Sequence, residues 1–184
     1  ALRSFYHYAS LEVPEHAALI QRVLAIPYKR LSRPLVGYLT REEIDAILAS
    51  IDQSSRLGRR NHALLRLAVQ TGLRLSEITA LRRRDVALGT GAHVRCEGKG
   101  RKERCTPLTK AVVAALRAWM QELSGDDDRH LFPSASGGRL SADAVQHLVK
   151  KHTLAAHARC PSLITKRVTP HVLRHTAAME LLQA

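Results

Sequence analysis

Apolar positions recur every three to four residues over much of the chain, the spacing that lines them along one face of an α-helix. Ile44, Ile47, Leu48 and Ile51 form one such face. Thr40 stands just before it and Glu43 three residues on, the pair that satisfies free amides reciprocally in a capping box. Residues 61–71, NHALLRLAVQT, predict a second helix, closed by Gly72 where a left-handed residue ends helices. Ser76 with Glu77 predicts the start of a short third helix, ending near Leu81. Over 109–123 the pattern returns, with Thr109 as cap and Val112, Val113, Leu116 and Trp119 inward. Ser141 caps a further helix over 142–157. Thr169-Pro170, an N-cap followed by proline at the first helical position, opens the last one, which runs to the end.

Elsewhere the period breaks. Residues 84–108 hold short β-prone stretches cut by glycines at 89, 91, 98 and 100, predicting a small antiparallel sheet with a tight turn around Gly98–Arg101. SGDDDRHLFPSASGG reads as a loop around a short extended LFP. Residues 1–26 read as helical, broken near Pro14, with Phe5, Tyr8, Leu19, Val23 and Leu24 as an apolar stripe. Residues 27–39, PYKRLSRPLVGYL, carry two prolines, a glycine and three basic side chains and read as a linker. The expected fold is therefore mainly α with a small antiparallel β-sheet, an α+β domain over 40–184 preceded by a helical piece.

Composition narrows the function. With 184 residues, the chain has room for one domain, or one plus part of another. A content of 45% apolar and 24% charged residues excludes a mainly disordered chain. No apolar run approaches the roughly 20 residues of a membrane span, and ALRSFYHYAS has no signal-peptide core. Cys96, Cys105 and Cys160 form no CxxC pair and read as reduced thiols. The ten histidines are scattered without zinc-finger spacing. Twenty-nine Lys and Arg against 16 acidic residues leave a net charge of +13, which points to a polyanion, most often nucleic acid. Only 4% of residues are aromatic, which argues against a base-stacking single-strand platform and for a duplex backbone.

Candidate chemistry lies in three stretches. Arg74 falls in the turn Gly72-Leu73-Arg74 just past a helix end, and Arg174 lies on the last helix. Two planar guanidinium forks can hold a phosphodiester from both sides and stabilise its pentacoordinate transition state; the plain alternative is two solvated arginines. His171, three residues before Arg174, shares its helix face. An imidazole there either moves a proton to an oxygen on phosphorus or serves only as a cap or core group. His175 completes HVLRH, with the histidine spacing of the HExxH zinc-protease helix but without its glutamate or a third ligand; it reads as a buried hydrogen-bonding group behind the site, with no metal. Lys99, between two glycines at the predicted turn, is placed to protonate a leaving oxygen, with Lys102 as its rival and a solvated phosphate-binding loop as the bland reading. Arg101, Lys102 and Arg104 read as DNA-backbone anchors. Glu77 either orients a nearby cation or merely caps its helix. The run Arg82–Arg84 reads as a solvated face with one DNA contact at most.

Taken in order, TGLRLSEITALRRRDV, GKGRKER and PHVLRHTAAMELL resemble the tyrosine recombinase (phage integrase) family, in particular its bacterial Xer-like members, over most of 40–184. The resemblance implies a mainly helical catalytic domain with a small sheet, and residues 1–26 as the end of a helical core-binding domain. It implies Arg74 and Arg174 as the paired arginines, His171 as acid/base partner and Lys99 as proton donor to the leaving 5′-oxygen. It implies double-stranded DNA as partner, further recombinase subunits on DNA, no cofactor, and a cytoplasmic, nucleoid-associated protein. The family's nucleophilic tyrosine lies several turns beyond the second arginine, whereas Tyr6, Tyr8, Tyr28 and Tyr38 all lie far upstream. The chain has no initiator Met and its last residues, MELLQA, sit within a helical pattern. The expectation is a catalytic domain truncated before its nucleophile, monomeric and cleavage-incompetent alone, from a parent that breaks and rejoins DNA through a 3′-phosphotyrosyl link. Two other readings stay open. One is a non-catalytic duplex-DNA-binding module using the 141–157 helix and its successor. The other is a metal-dependent nuclease at Asp126–Asp128, a cluster that otherwise reads as a solvated loop.

Overall fold

The computed structural model describes residues 2–27, 37–97 and 103–183. The chain divides into two compact units, Ala1–Leu35 and Val36–Ala184.

The first unit holds α1 (Leu2–Glu12), a 3-10 turn (Pro14–His16) and α2 (Ala17–Leu24). The predicted break is where it was expected: Val13 leaves the helical region (φ −131°, ψ 69°), as the ring of a following proline demands. The predicted stripe differs. Phe5, Tyr8 and Leu19 are exposed and Ile20 is the buried side chain, because two short helices enclose little more than one residue between them.

The second unit is mainly helical, with one small sheet. Its helices are α3 (Arg41–Ala49), α4 (Arg56–Thr71), α5 (Leu75–Ala80), α6 (Lys110–Gln121), α7 (Ala142–Ala156) and α8 (Pro170–Gln183). α4 is the axis, packed against α3, α6 and α8, while α7 packs on α3 and α8. Ala63, Leu64, Leu65, Leu67 and Ala68 are buried along α4, so apolar residues surround much of its second half, as a central helix requires. Strands β1 (Val86–Ala87), β2 (His93–Glu97) and β3 (Glu103–Pro107) form an antiparallel meander in the order β1-β2-β3. Its register pairs Val94 with Thr106 and Cys96 with Arg104. Val94 and Cys96 alternate inward on β2, the period-two signature of a half-buried strand.

The capping residues read from the sequence act as caps. Thr109 and Ser141 accept the amides of Val112 and Ala144 through their side chains, and Thr169 accepts that of Val172. Thr40 and Glu43 complete the capping box. α4 starts at Arg56, five residues ahead of the predicted helix, with Ser55 Oγ accepting Gly58 N at 3.1 Å. The polar run RLGRR hides this turn from a hydrophobic pattern. Gly58 is required there, since a Cβ would lie 1.6 Å from the Asp52 carbonyl oxygen. The third helix starts at Leu75 with Arg74 as its N-cap, one turn-position earlier than Ser76 suggested.

Two loops carry more structure than polarity suggested. Leu131 and Phe132 of the LFP segment are buried, and Trp119 Nε1 donates to the Leu131 carbonyl at 2.7 Å. Leu39, the last residue of the predicted linker, is also in the core, and its amide donates to Thr176 Oγ1 at 3.0 Å.

Candidate functional site

The turn 72–74 joins α4 to α5, and Gly72 makes it. Its φ of 58° lies in the left-handed region, where a side chain strains the backbone. A Cβ here would also stand 3.1 Å from Ala177 Cβ and 3.5 Å from the Arg174 carbonyl oxygen, so α8 approaches this turn as closely as a glycine allows. Gly72→Ala is expected to destabilise the protein by roughly 1–2 kcal/mol from backbone strain alone, read as a lowered Tm. An unchanged Tm would mean that residue 72 does not hold the left-handed conformation.

α8 uses the contact. Leu173, Thr176 and Ala177 form its buried face, and Arg174 lies half-buried beside it. Arg174 Nη1 donates to the Gly72 carbonyl at 2.7 Å. The second predicted arginine is thereby anchored on the same turn from which the first departs. His171 stands one turn earlier on α8, exposed. His175 departs from expectation. It is half-buried, and its ring has no hydrogen-bond partner among the described residues, because it lies about 100° around the helix from its neighbour and off the inward face.

Glu77 fills both roles left open for it. Its Oε2 accepts the Arg74 amide at 2.6 Å, the capping bond, and its Oε1 pairs with Arg74 Nη1 at 3.0 Å. The carboxylate is nearly enclosed, with 7% of its side chain exposed, while the Arg74 side chain is 51% exposed. Burial pushes the Glu77 carboxyl up, but hydrogen bonds from Arg74 and the charges of Arg104 and Arg74 outweigh it and hold the group below its usual range. α5 is itself pinned: Arg139 donates to the Ser76 carbonyl at 2.8 Å and to Thr79 Oγ1 at 2.9 Å.

Arg104, read from the sequence as a backbone anchor, has two partners inside the protein. Nη2 pairs with Glu77 Oε2 at 2.7 Å, and Nε donates to Cys96 Sγ at 3.1 Å. Sequence reasoning missed this link, since only the Cys96–Arg104 register reveals it. Lys99, Arg101 and Lys102 lie outside the described residues. The run Arg82–Arg84 is tied to the acidic loop: Arg82 and Arg84 pair with Asp128, and Arg83 with Asp127. An open groove of about 500 Å³ runs between α7 and the segment before α8, lined among others by His147, Lys150, Lys166 and Arg167, and it ends at Pro170. No helix among the described residues is long and apolar enough to cross a membrane.

Arg174 is thus bonded to the turn that bears Arg74, and Arg74 is backed by an enclosed carboxylate. A family model described as "Phage integrase family" matches residues 37–184, and the chain belongs to that family. The Sinorhizobium fredii protein y4rC, named as an integrase/recombinase, is 60% identical over 184 residues, which is 100% of this chain and 55% of that protein. A tyrosine recombinase XerC from Xanthomonas campestris is 42% identical over 137 residues, covering 74% of this chain and 40% of its own length. The chain thus spans about half the length of the curated relatives it matches. Among solved structures, the XerH site-specific recombinase bound to its difH substrate in a pre-cleavage complex superposes with a TM-score of 0.68 at 27% identity, over 85% of this chain and 46% of that one.

Proposed function

We propose that this chain carries the phosphate clamp and acid/base groups of a tyrosine recombinase that breaks and rejoins duplex DNA. The bond from Arg174 to the Gly72 carbonyl supports it most directly, because it draws the HVLR helix onto the TGLR turn. Arg74 and Arg174 grip the non-bridging oxygens of one phosphodiester and stabilise the charge that builds on them. His171 exchanges a proton with an oxygen on phosphorus, and Lys99 gives one to the leaving 5′-oxygen. A tyrosine oxygen attacks phosphorus as the P–O5′ bond breaks, leaving a 3′-phosphotyrosyl link; a 5′-hydroxyl reverses the step and conserves the bond energy. In this reading the tyrosine lies outside residues 1–184, and so do the surfaces through which subunits assemble on DNA. Residues 1–26 belong to the preceding helical domain, and the protein works in the cytoplasm on the chromosome.

The basic groove along α7 continues toward α8 and suits a duplex backbone. Affinity of the present chain for duplex DNA is expected to fall steeply with salt, by roughly one power of salt concentration per phosphate neutralised. Fluorescence anisotropy across a salt series reads this directly, and a flat dependence would remove DNA as the partner. The chemistry is tested on the complete gene product, incubated with target duplex in a chelator. A covalent protein–DNA adduct at a 3′-phosphate is the expected result, and cleavage without any adduct would overturn it.

A further inference from the structure

We infer that Arg104 is a positioning residue for Arg74, acting through Glu77. This rests on the proposed role of Arg74. Cys96 and Arg104 are cross-strand partners, and Nε of the guanidinium is taken by Cys96 Sγ at 3.1 Å. The sulfur belongs to a buried residue of β2 and is therefore a fixed point. Held there, the planar fork presents Nη2 to Glu77 Oε2 at 2.7 Å.

The consequence for Arg74 follows from acceptor counting. Glu77 takes three donors: the Arg74 amide and Arg104 Nη2 on Oε2, and Arg74 Nη1 on Oε1. With Oε2 doubly occupied, Arg74 reaches the carboxylate through one nitrogen instead of two. Its remaining donors stay free on a half-exposed side chain, the arrangement a phosphate needs. Without Arg104, Oε2 becomes available to a second nitrogen of Arg74. The guanidinium can then turn in to a bidentate pair with Glu77, and its charge is spent inside the protein. Arg104 also restores the local charge: Glu77 cancels one guanidinium, and the second leaves the pair net positive. Because Arg104 is the second residue of β3, which begins just after the 98–102 segment, one ion pair ties that strand to the turn bearing Arg74.

The experiment compares Arg104→Ala, Arg104→Lys and Arg74→Lys in the complete gene product, each checked for folding by circular dichroism. Cleavage rate is read at saturating DNA, and duplex affinity separately. For Arg104→Ala the rate should fall roughly 10- to 100-fold, as expected for a misplaced catalytic group, with affinity and its salt dependence nearly unchanged. Arg104→Lys, which keeps the charge but cannot make both contacts, should not restore the rate. In a Glu77→Gln background Arg104→Ala should add little further loss. A substrate with sulfur at the bridging 5′ position, whose leaving group needs no proton, should keep the defect. A loss confined to affinity would return Arg104 to a backbone contact and end the inference. So would recovery with lysine, or rescue by the sulfur substrate, which places the action on the leaving-group proton. If Arg74→Lys itself cleaves normally, the assignment of Arg74 has failed; if Arg74→Lys is dead while Arg104→Ala cleaves normally, this inference alone has failed.

Discussion

Replacing Arg174 by alanine is expected to slow strand cleavage by the complete gene product roughly 100- to 1,000-fold, the cost of one preorganised donor to a developing oxyanion. One of its nitrogens is already bound to the Gly72 carbonyl at 2.7 Å, so the fork is oriented before DNA arrives. Lysine at this position should fare little better. A single ammonium cannot hold the carbonyl and bridge two phosphate oxygens together. The alanine variant also strips a partner from the Gly72 carbonyl, which costs about 1–3 kcal/mol if the group stays buried. Rates at saturating DNA and Tm values must therefore be read side by side. A folded Arg174→Ala protein that cleaves at the wild-type rate would remove the phosphate clamp.

The largest effect on stability is expected from Glu43→Ala, at about 3 kcal/mol, the low end for breaking a buried ion pair. Glu43 is 2% exposed. It accepts from Lys166 Nζ at 2.7 Å, Ser162 Oγ at 2.6 Å and the Thr40 amide at 2.9 Å. One carboxylate thus joins the start of α3 to the segment that delivers α8. Lys166 is about one-third exposed and can turn to water, which keeps the cost at the low end. A fall in Tm of about 6–12 °C corresponds to this energy in a domain of this size. Burial raises the Glu43 carboxyl, but bonds from Lys166, Ser162 and Thr40 and the Lys166 charge together lower it below its ordinary 4.5. The folded form thus holds its proton more weakly than the unfolded one. The stabilisation is complete above the unfolded value and is lost as pH falls through the lower folded value. Below about pH 4.5, wild type should lose Tm faster than Glu43→Gln. Parallel Tm profiles would mean that the carboxylate contributes nothing as an ion.

What could be read in advance was local. Thr40 with Glu43, Thr109, Ser141 and Thr169-Pro170 mark helix starts because a cap and its amide lie within three residues. The arginine turn and the HVLR face were legible for the same reason. Partners far apart in sequence were not. Glu43 reads as a capping residue, and nothing near it announces Lys166, 123 residues away. Asp126–Asp128 reads as a free acidic loop, yet Asp127 and Asp128 bind the arginine run 82–84. Arg104 reads as a DNA-backbone anchor until sheet register sets it against Cys96. The early start of α4 was missed because its first turn is polar and contains Gly58.

The hydrogen bond from Leu39 to Thr176 closes a circuit of 137 residues. Thr176 lies two positions past Arg174 on α8, so the residue just before the α3 cap and α8 itself are fastened to each other. During synthesis on the ribosome, α3 to α7 emerge before the segment that completes this closure. Such long-range contacts form late, after the intervening chain is collapsed. The turn at Gly72 therefore stays without Arg174 until α8 has left the exit tunnel.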